Sequence, residues 1–124
     1  MRDKHRSRLI APVLGAALLG SCHYGVGDIP SVPDNPTYSR DVRPLLGNHC
    51  LVCHGSSPSR GAPSYFRLDV YDDSGSTVGA KTMAGVILAV VKSGEMPPAA
   101  KDGDGVGPNG LELLQRWVDQ GAPP

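Results

Sequence analysis

The chain has 124 residues, including 16 glycines and 12 prolines, and its aromatic side chains are one Trp, four Tyr and one Phe. This length fits a single domain and excludes a dinucleotide-binding domain joined to a second enzyme domain. The scarcity of large apolar side chains predicts a weak side-chain core, so we expect another apolar group to fill the interior. The net charge is zero, but from residue 22 onward eleven Asp and Glu outnumber eight Lys and Arg. That balance excludes the basic surface of a nucleic-acid-binding protein.

The first 21 residues have the three parts of an export signal. A basic segment (1–8) is followed by an apolar run of eleven residues (9–19) and then by small residues. Eleven residues are too few to span a bilayer as a helix, but they suit a signal peptide. The stretch Leu19-Gly-Ser-Cys22 resembles the bacterial lipobox, which implies cleavage before Cys22 and acylation of its thiol. We therefore predict a membrane-anchored lipoprotein on the periplasmic side; the alternative is an ordinary secretory signal with an incidental cysteine.

Residues 22–37 are predicted to be a flexible linker, since they are rich in Pro and Gly and have no apolar periodicity. His23 lies in this segment and is expected to be solvated. The folded domain is predicted to occupy residues 38–124.

A first helix is predicted to run into the sequence around Cys50. Apolar residues recur at helical spacing from Val42 to Cys50. Thr37 or Ser39 can cap its start, and Pro44 is tolerable near the first turn.

The stretch Cys50-Leu-Val-Cys53-His54 is the attachment signature of c-type haem. In this chemistry each cysteine sulfur adds to one haem vinyl group and forms a thioether, and the following histidine binds the iron from the proximal side. The motif also requires an exported chain, which agrees with the signal peptide. The sequence therefore predicts one covalent haem c on Cys50 and Cys53, with His54 as an iron ligand.

Three alternatives use the same residues. A thioredoxin-like C-x-x-C lacks its βαβ context. A structural zinc site would crowd Cys50, Cys53, His54 and His49 into six residues, whereas zinc modules draw ligands from separated segments. A Cys50–Cys53 disulfide would leave His54 without a role.

Two more helices are predicted further along the chain. The first, from about Thr82 to Lys92, has an apolar stripe that includes Met83, and Gly94 ends it. The second begins at a capping-box-like pair, Asn109 and Glu112, and ends at Gly121 in the C′ position. No stretch alternates long enough to predict a strand, so the fold class is all-α, with about three short helices and long loops.

Five stretches occur in the order that single-haem c-type cytochrome domains of exported bacterial proteins show: Tyr38–Leu46, Cys50–Gly55, Arg67–Asp69, Met96–Pro98 and Trp117–Ala122. In these stretches the chain resembles class I-like cytochromes c, including the planctomycete-type domain. The resemblance implies a cytochrome c-like fold wrapped around the haem.

The resemblance also implies a methionine thioether as the distal iron ligand. Met96 stands in a loop before two prolines, which limit the freedom of that loop. Met83, on an apolar helical stripe, is expected to be core. Met96 is therefore the predicted distal ligand, with His49 or His23 as replacements. Trp117 is expected to pack near the haem or against the first helix.

The function that this resemblance implies is one-electron transfer between exported or membrane redox proteins, without catalytic residues and without enzyme activity. The alternative is a haem-based ligand-binding or sensor module with a labile sixth position. A third possibility is a non-redox surface lipoprotein with a structural metal.

Overall fold

A computed structural model describes residues 29–98 and 105–124. The export signal, Cys22 and His23 lie outside the described residues. A π-helical turn, Tyr38–Val42, leads into α1 (Arg43–His49); the remaining helices are α2 (Leu51–His54), α3 (Ala84–Lys92) and α4 (Gly107–Asp119). Across the two described ranges, β-structure is limited to the isolated bridges Phe66–Val78 and Ser74–Thr77. The domain is thus helical with little strand, in keeping with the predicted all-α class.

The first helical segment begins at the predicted cap and ends at the haem motif, as the sequence indicates. The Thr37 hydroxyl accepts the Arg40 N–H at 3.4 Å, which makes Thr37 the cap, whereas Ser39 lies inside the π-helical turn. The predicted helix that runs into the haem motif is confirmed as α1, which ends at His49 because Cys50 leaves helical geometry at φ −124° and ψ −37°. The N–H groups of Cys53 and His54 both donate to the Cys50 carbonyl, at 3.1 and 2.9 Å. A new helical turn therefore starts at the break.

The second predicted helix is confirmed with a later start, because α3 begins at Ala84 and Met83 is its N-cap. Gly94 follows the helix with φ 76°, and its N–H donates to the Val91 carbonyl at 3.2 Å. Only glycine adopts this left-handed conformation readily, so Gly94 ends α3 as predicted.

The capping box predicted for the last helix is wrong. The helix begins at Gly107, and Pro108 occupies its first turn, where the missing proline N–H and its fixed φ are favourable. Asn109 therefore lies inside the helix, and its side-chain amide donates to the Ile29 carbonyl at 2.7 Å. Glu112 pairs with the arginine one turn later.

The end of α4 is confirmed. Gly121 has φ 82° and donates its N–H to the Val118 carbonyl at 3.0 Å, while the Ala122 N–H donates to the Trp117 carbonyl at 2.8 Å. These two hydrogen bonds form a Schellman motif, with Gly121 at the C′ position.

The side-chain core is centred on Trp117, which is 0% exposed. Its indole N–H donates to the Pro123 carbonyl at 2.9 Å, and its ring lies 6.3 Å from that of Tyr38. Trp117 therefore packs against the first helical segment, one of the two predicted positions. The core is larger than the composition suggests; its buried members are Tyr38, Val42, Leu45, Leu46, Leu68, Ala80, Ala84, Ile87, Leu88, Val106, Leu113, Leu114, Trp117 and Ala122.

Residues 29–37, which belong to the predicted linker, lie along α4. The Arg116 guanidinium donates to the Pro33 carbonyl at 2.9 Å, and the Gln120 side-chain amide donates to the Asp34 carbonyl at 2.7 Å. These contacts extend the ordered part of the chain to before Tyr38. Of the helices in the described ranges, none has both the length and the apolarity needed to cross a membrane.

Replacing Trp117 with alanine should lower the free energy of unfolding by about 3–5 kcal/mol, because the ring is fully buried and the cavity would be only partly refilled. Urea denaturation followed by circular dichroism measures the change. Trp117→Phe keeps most of the apolar volume and should lose less. An equal loss in the two variants would mean that the indole hydrogen bond, rather than packing, provides most of the stabilisation.

Candidate functional site

An open cleft with a volume of about 240 Å³ lies on the side of the domain formed by α2, α3 and the loops that follow each of them. Most of its wall is apolar. The segment around α2 contributes sulfur and imidazole groups, and the loop after α3 contributes a thioether. The apolar side chains between these groups are Phe66, Leu68, Val86, Ile87, Val90 and Val91.

The cleft brings together four residues that the sequence singles out for haem binding: Cys50, Cys53, His54 and Met96. His49, a predicted replacement ligand, also lines the cleft.

The backbone of His54 is fixed from both sides. Its N–H donates to the Cys50 carbonyl at 2.9 Å, and its carbonyl accepts the Leu68 N–H at 2.8 Å. Its ring packs against Phe66 with 4.9 Å between centroids and an angle of 57°. Burial lowers the pKa of His54, which favours the neutral imidazole with a lone pair free for a metal.

The ring nitrogens of His54 are unequal. Nδ1 is buried, and no described residue gives it a hydrogen-bond partner. An unpaired buried polar atom costs about 1–3 kcal/mol, and a metal-binding histidine, like a core histidine, usually has its second ring nitrogen paired. Since Nδ1 is enclosed, Nε2 is the ring nitrogen that remains for a ligand in the cleft. His54 is therefore not a core histidine satisfied by hydrogen bonds.

The two cysteines of the cleft are free thiols, with no disulfide between them. Burial, together with the neighbouring Cys53, raises the pKa of Cys50 to about 11. Cys50 is thus protonated at neutral pH. Redox-active C-x-x-C motifs instead have a lowered thiol pKa, so this geometry disfavours the thioredoxin-like alternative.

The zinc alternative has no geometric support in the described ranges. Among those residues, no group of three or more His, Cys, Asp or Glu side chains is arranged to hold a metal ion. His49, Cys50, Cys53 and His54 line one cleft but do not converge on one point. A haem makes a smaller demand, because its porphyrin supplies four iron ligands and the protein only the axial ones.

The two methionines of the domain occupy different environments. Met96 lines the cleft, is 37% exposed, and donates its backbone N–H to the Val90 carbonyl at 3.1 Å. This hydrogen bond ties the loop back to α3. Met83 packs against the side-chain core instead and does not line the cleft. The placement of Met83 matches the sequence prediction.

Three features of the cleft are missed by the sequence analysis. Phe66 is the only phenylalanine of the chain, and its position against His54 could have been suspected from that rarity. Arg60 also lines the cleft, but a single arginine in a polar loop carries no signal. The position of α3 beside the cleft was not predicted, because its apolar pattern does not show which of its apolar residues face the core and which face the cleft.

Comparisons with known proteins add no relative: no protein-family model matches this chain, and neither a curated protein nor a solved structure is significantly similar to it. The residues of the cleft alone carry the functional assignment.

Proposed function

We propose that this chain is a single-haem c-type cytochrome that transfers one electron between exported or membrane-bound redox proteins. The observation that carries the proposal is the convergence of Cys50, Cys53, His54 and Met96 on one apolar cleft. These residues come from two segments about forty positions apart in the chain.

The chemistry of the cleft fits a haem. Cys50 and Cys53 provide free thiols for two thioethers, and His54, which lines the cleft, provides an imidazole whose lowered pKa favours the neutral form. Met96 provides a thioether from the loop after α3. The apolar wall suits a flat apolar ring and excludes water from it. The proposed fold is accordingly cytochrome c-like.

When bound, a haem supplies a reversible one-electron change between ferrous and ferric iron. His54 and Met96 would both hold the iron and leave no position for a substrate, which is why we propose a carrier rather than an enzyme. A thioether ligand favours the ferrous state, and the apolar wall does the same by disfavouring the net charge of the ferric state. Both features predict a raised reduction potential.

One observation favours a second candidate, a haem-based ligand-binding or sensor module. Met96 is 37% exposed, which places it among the exposed large apolar residues of the described chain. A distal ligand on an open loop could yield its position to a diatomic gas.

A redox titration of the haem-loaded protein with visible spectra, repeated under carbon monoxide, separates the two candidates. An electron carrier should titrate as one reversible one-electron step, and carbon monoxide should not change the ferrous spectrum. Rapid binding of carbon monoxide to the ferrous protein would favour the sensor. A protein that purifies without haem would contradict both.

Replacement of Cys22 with serine should release the protein from the membrane, or leave the signal uncleaved, while haem loading is kept. The reason is the lipobox-like Leu19-Gly-Ser-Cys22: several acyl chains anchor firmly, each buried CH₂ contributing about 0.8 kcal/mol. Cell fractionation and mass spectrometry of the mature N-terminus measure the effect. A native N-terminus without lipid would refute the anchor.

A further inference from the structure

Arg60 holds an unusual position in the cleft. Among the described residues that line the cleft, Arg60 is the only Lys, Arg, Asp or Glu. The side chain is exposed, which places its charge at the open side of the cleft. A cation beside an apolar site provides specificity for a ligand that is apolar in the middle and anionic at its edge.

Arg60 also differs from the other basic residues in having no partner. Within the described ranges its guanidinium makes no hydrogen bond and no ion pair. Each of the other Lys and Arg side chains there has a polar or aromatic partner: Arg40 with Asp41, Arg43 with the Asp69 carbonyl, Arg67 with Asp69, Lys81 with the Tyr71 ring, Lys92 with Gln115, and Arg116 with Glu112. The guanidinium at the cleft is thus available to an external anion.

The backbone at Arg60 is unfavourable for this residue type. The Ala62 N–H donates to the Ser59 carbonyl at 3.0 Å, and the two residues between them, Arg60 and Gly61, have φ 53° and 83°. Positive φ at both central positions is the pattern of a type I′ turn, which prefers Asn, Asp or Gly there. The turn therefore does not explain the arginine, and residues in such regions often mark functional sites.

We propose that Arg60 binds a propionate carboxylate of the haem at the mouth of the cleft; this inference rests on the proposed function. A guanidinium presents N–H donors in a planar fork that matches a carboxylate, and charge-assisted bonds of this kind are about twice as strong as neutral ones. Binding would orient the ring within the cleft, in addition to the attachment through the two cysteines. Arg60 is thus a binding and positioning residue.

The ion pair would act on the reduction potential. An ionised propionate stabilises ferric iron, because the ferric haem carries one more positive charge than the ferrous haem. Arg60 cancels part of that negative charge and keeps the carboxylate ionised to lower pH. Without Arg60, ferric iron should gain stability, and the carboxylate should titrate at higher pH.

The test compares Arg60→Asn with Arg43→Gln in the haem-loaded full chain, by measuring the midpoint potential between pH 5 and 9. Asparagine suits the positive φ of the turn, so Arg60→Asn should fold normally. Arg43→Gln removes the same charge at an exposed site outside the cleft. Arg60→Lys keeps the charge but loses the planar fork.

Arg60→Asn should shift the reduction equilibrium about two- to fivefold toward ferric iron at neutral pH, the range of a partly exposed ion pair. The midpoint potential falls with rising pH as the propionate ionises, and in Arg60→Asn this fall should occur at higher pH. Arg60→Lys should restore part of both effects, and Arg43→Gln should show neither. If Arg60→Asn and Arg43→Gln give the same pH profile, the inference is wrong while the haem assignment stands. If the unaltered chain carries no haem, the proposed function itself has failed.

Discussion

The double variant Cys50→Ala/Cys53→Ala is expected to be exported without covalent haem, and each single variant should retain at most one thioether. Both thiols are free and line the same cleft. The third cysteine of the chain is Cys22, which we propose to be acylated. Haem staining of denaturing gels and intact mass spectrometry measure the loss.

A matched control for these variants is Val52→Ala. Val52 lies between the two cysteines, is 65% exposed, and does not line the cleft. It should therefore load haem as the unaltered chain does. Covalent haem in the double variant would mean that the attachment site is elsewhere.

The second large effect is expected at Met96. Met96→Ala should remove the weak long-wavelength sulfur-to-iron band of the ferric protein and lower the midpoint potential, because the lost thioether favours ferrous iron. Water or a nearby histidine such as His49 would then take the position, and carbon monoxide should bind the ferrous form. Visible spectra and a redox titration measure these changes.

Met83→Ala is the matched control, since it removes the same side chain from the core rather than from the cleft. It should cost about 2 kcal/mol of stability, the low end for this change because Met83 is only half-buried, and leave the spectrum unchanged. If the two variants behave the other way round, Met83 is the ligand. If neither changes the spectrum, the distal ligand is not a methionine and the sensor becomes the better proposal.

The sequence predicts the helices of this domain well where local signals determine them. The spacing of apolar residues locates α3 and α4, and Gly94 and Gly121 end them because each supplies a positive φ. The start of α4 was missed because two local signals compete there. Pro108 favours the first turn of a helix, Asn109 favours a cap, and the helix begins at Gly107, before both.

Some residues of the candidate site are likewise found from a local sequence signal, and others only from the tertiary structure. Cys50, Cys53 and His54 form a motif of fixed spacing, so the sequence alone identifies them. The break at Cys50 is not visible in the apolar pattern, because Cys50 keeps the helical spacing of the residues before it. Its N–H also still donates to the Leu46 carbonyl at 2.7 Å, as in a helix. Arg60 is placed at the cleft by a turn far from α3 and Met96 in sequence, and only tertiary structure brings them together.

We propose above all that one haem is covalently bound through Cys50 and Cys53. The most direct measurement is the intact mass of the mature protein from a bacterial host that attaches c-type haem, followed by sequencing of the peptide that contains Cys50–His54. We expect a mass increase of one haem, carried by both cysteines of that peptide. A polypeptide with both thiols free, or joined as a disulfide, and no added haem would contradict it.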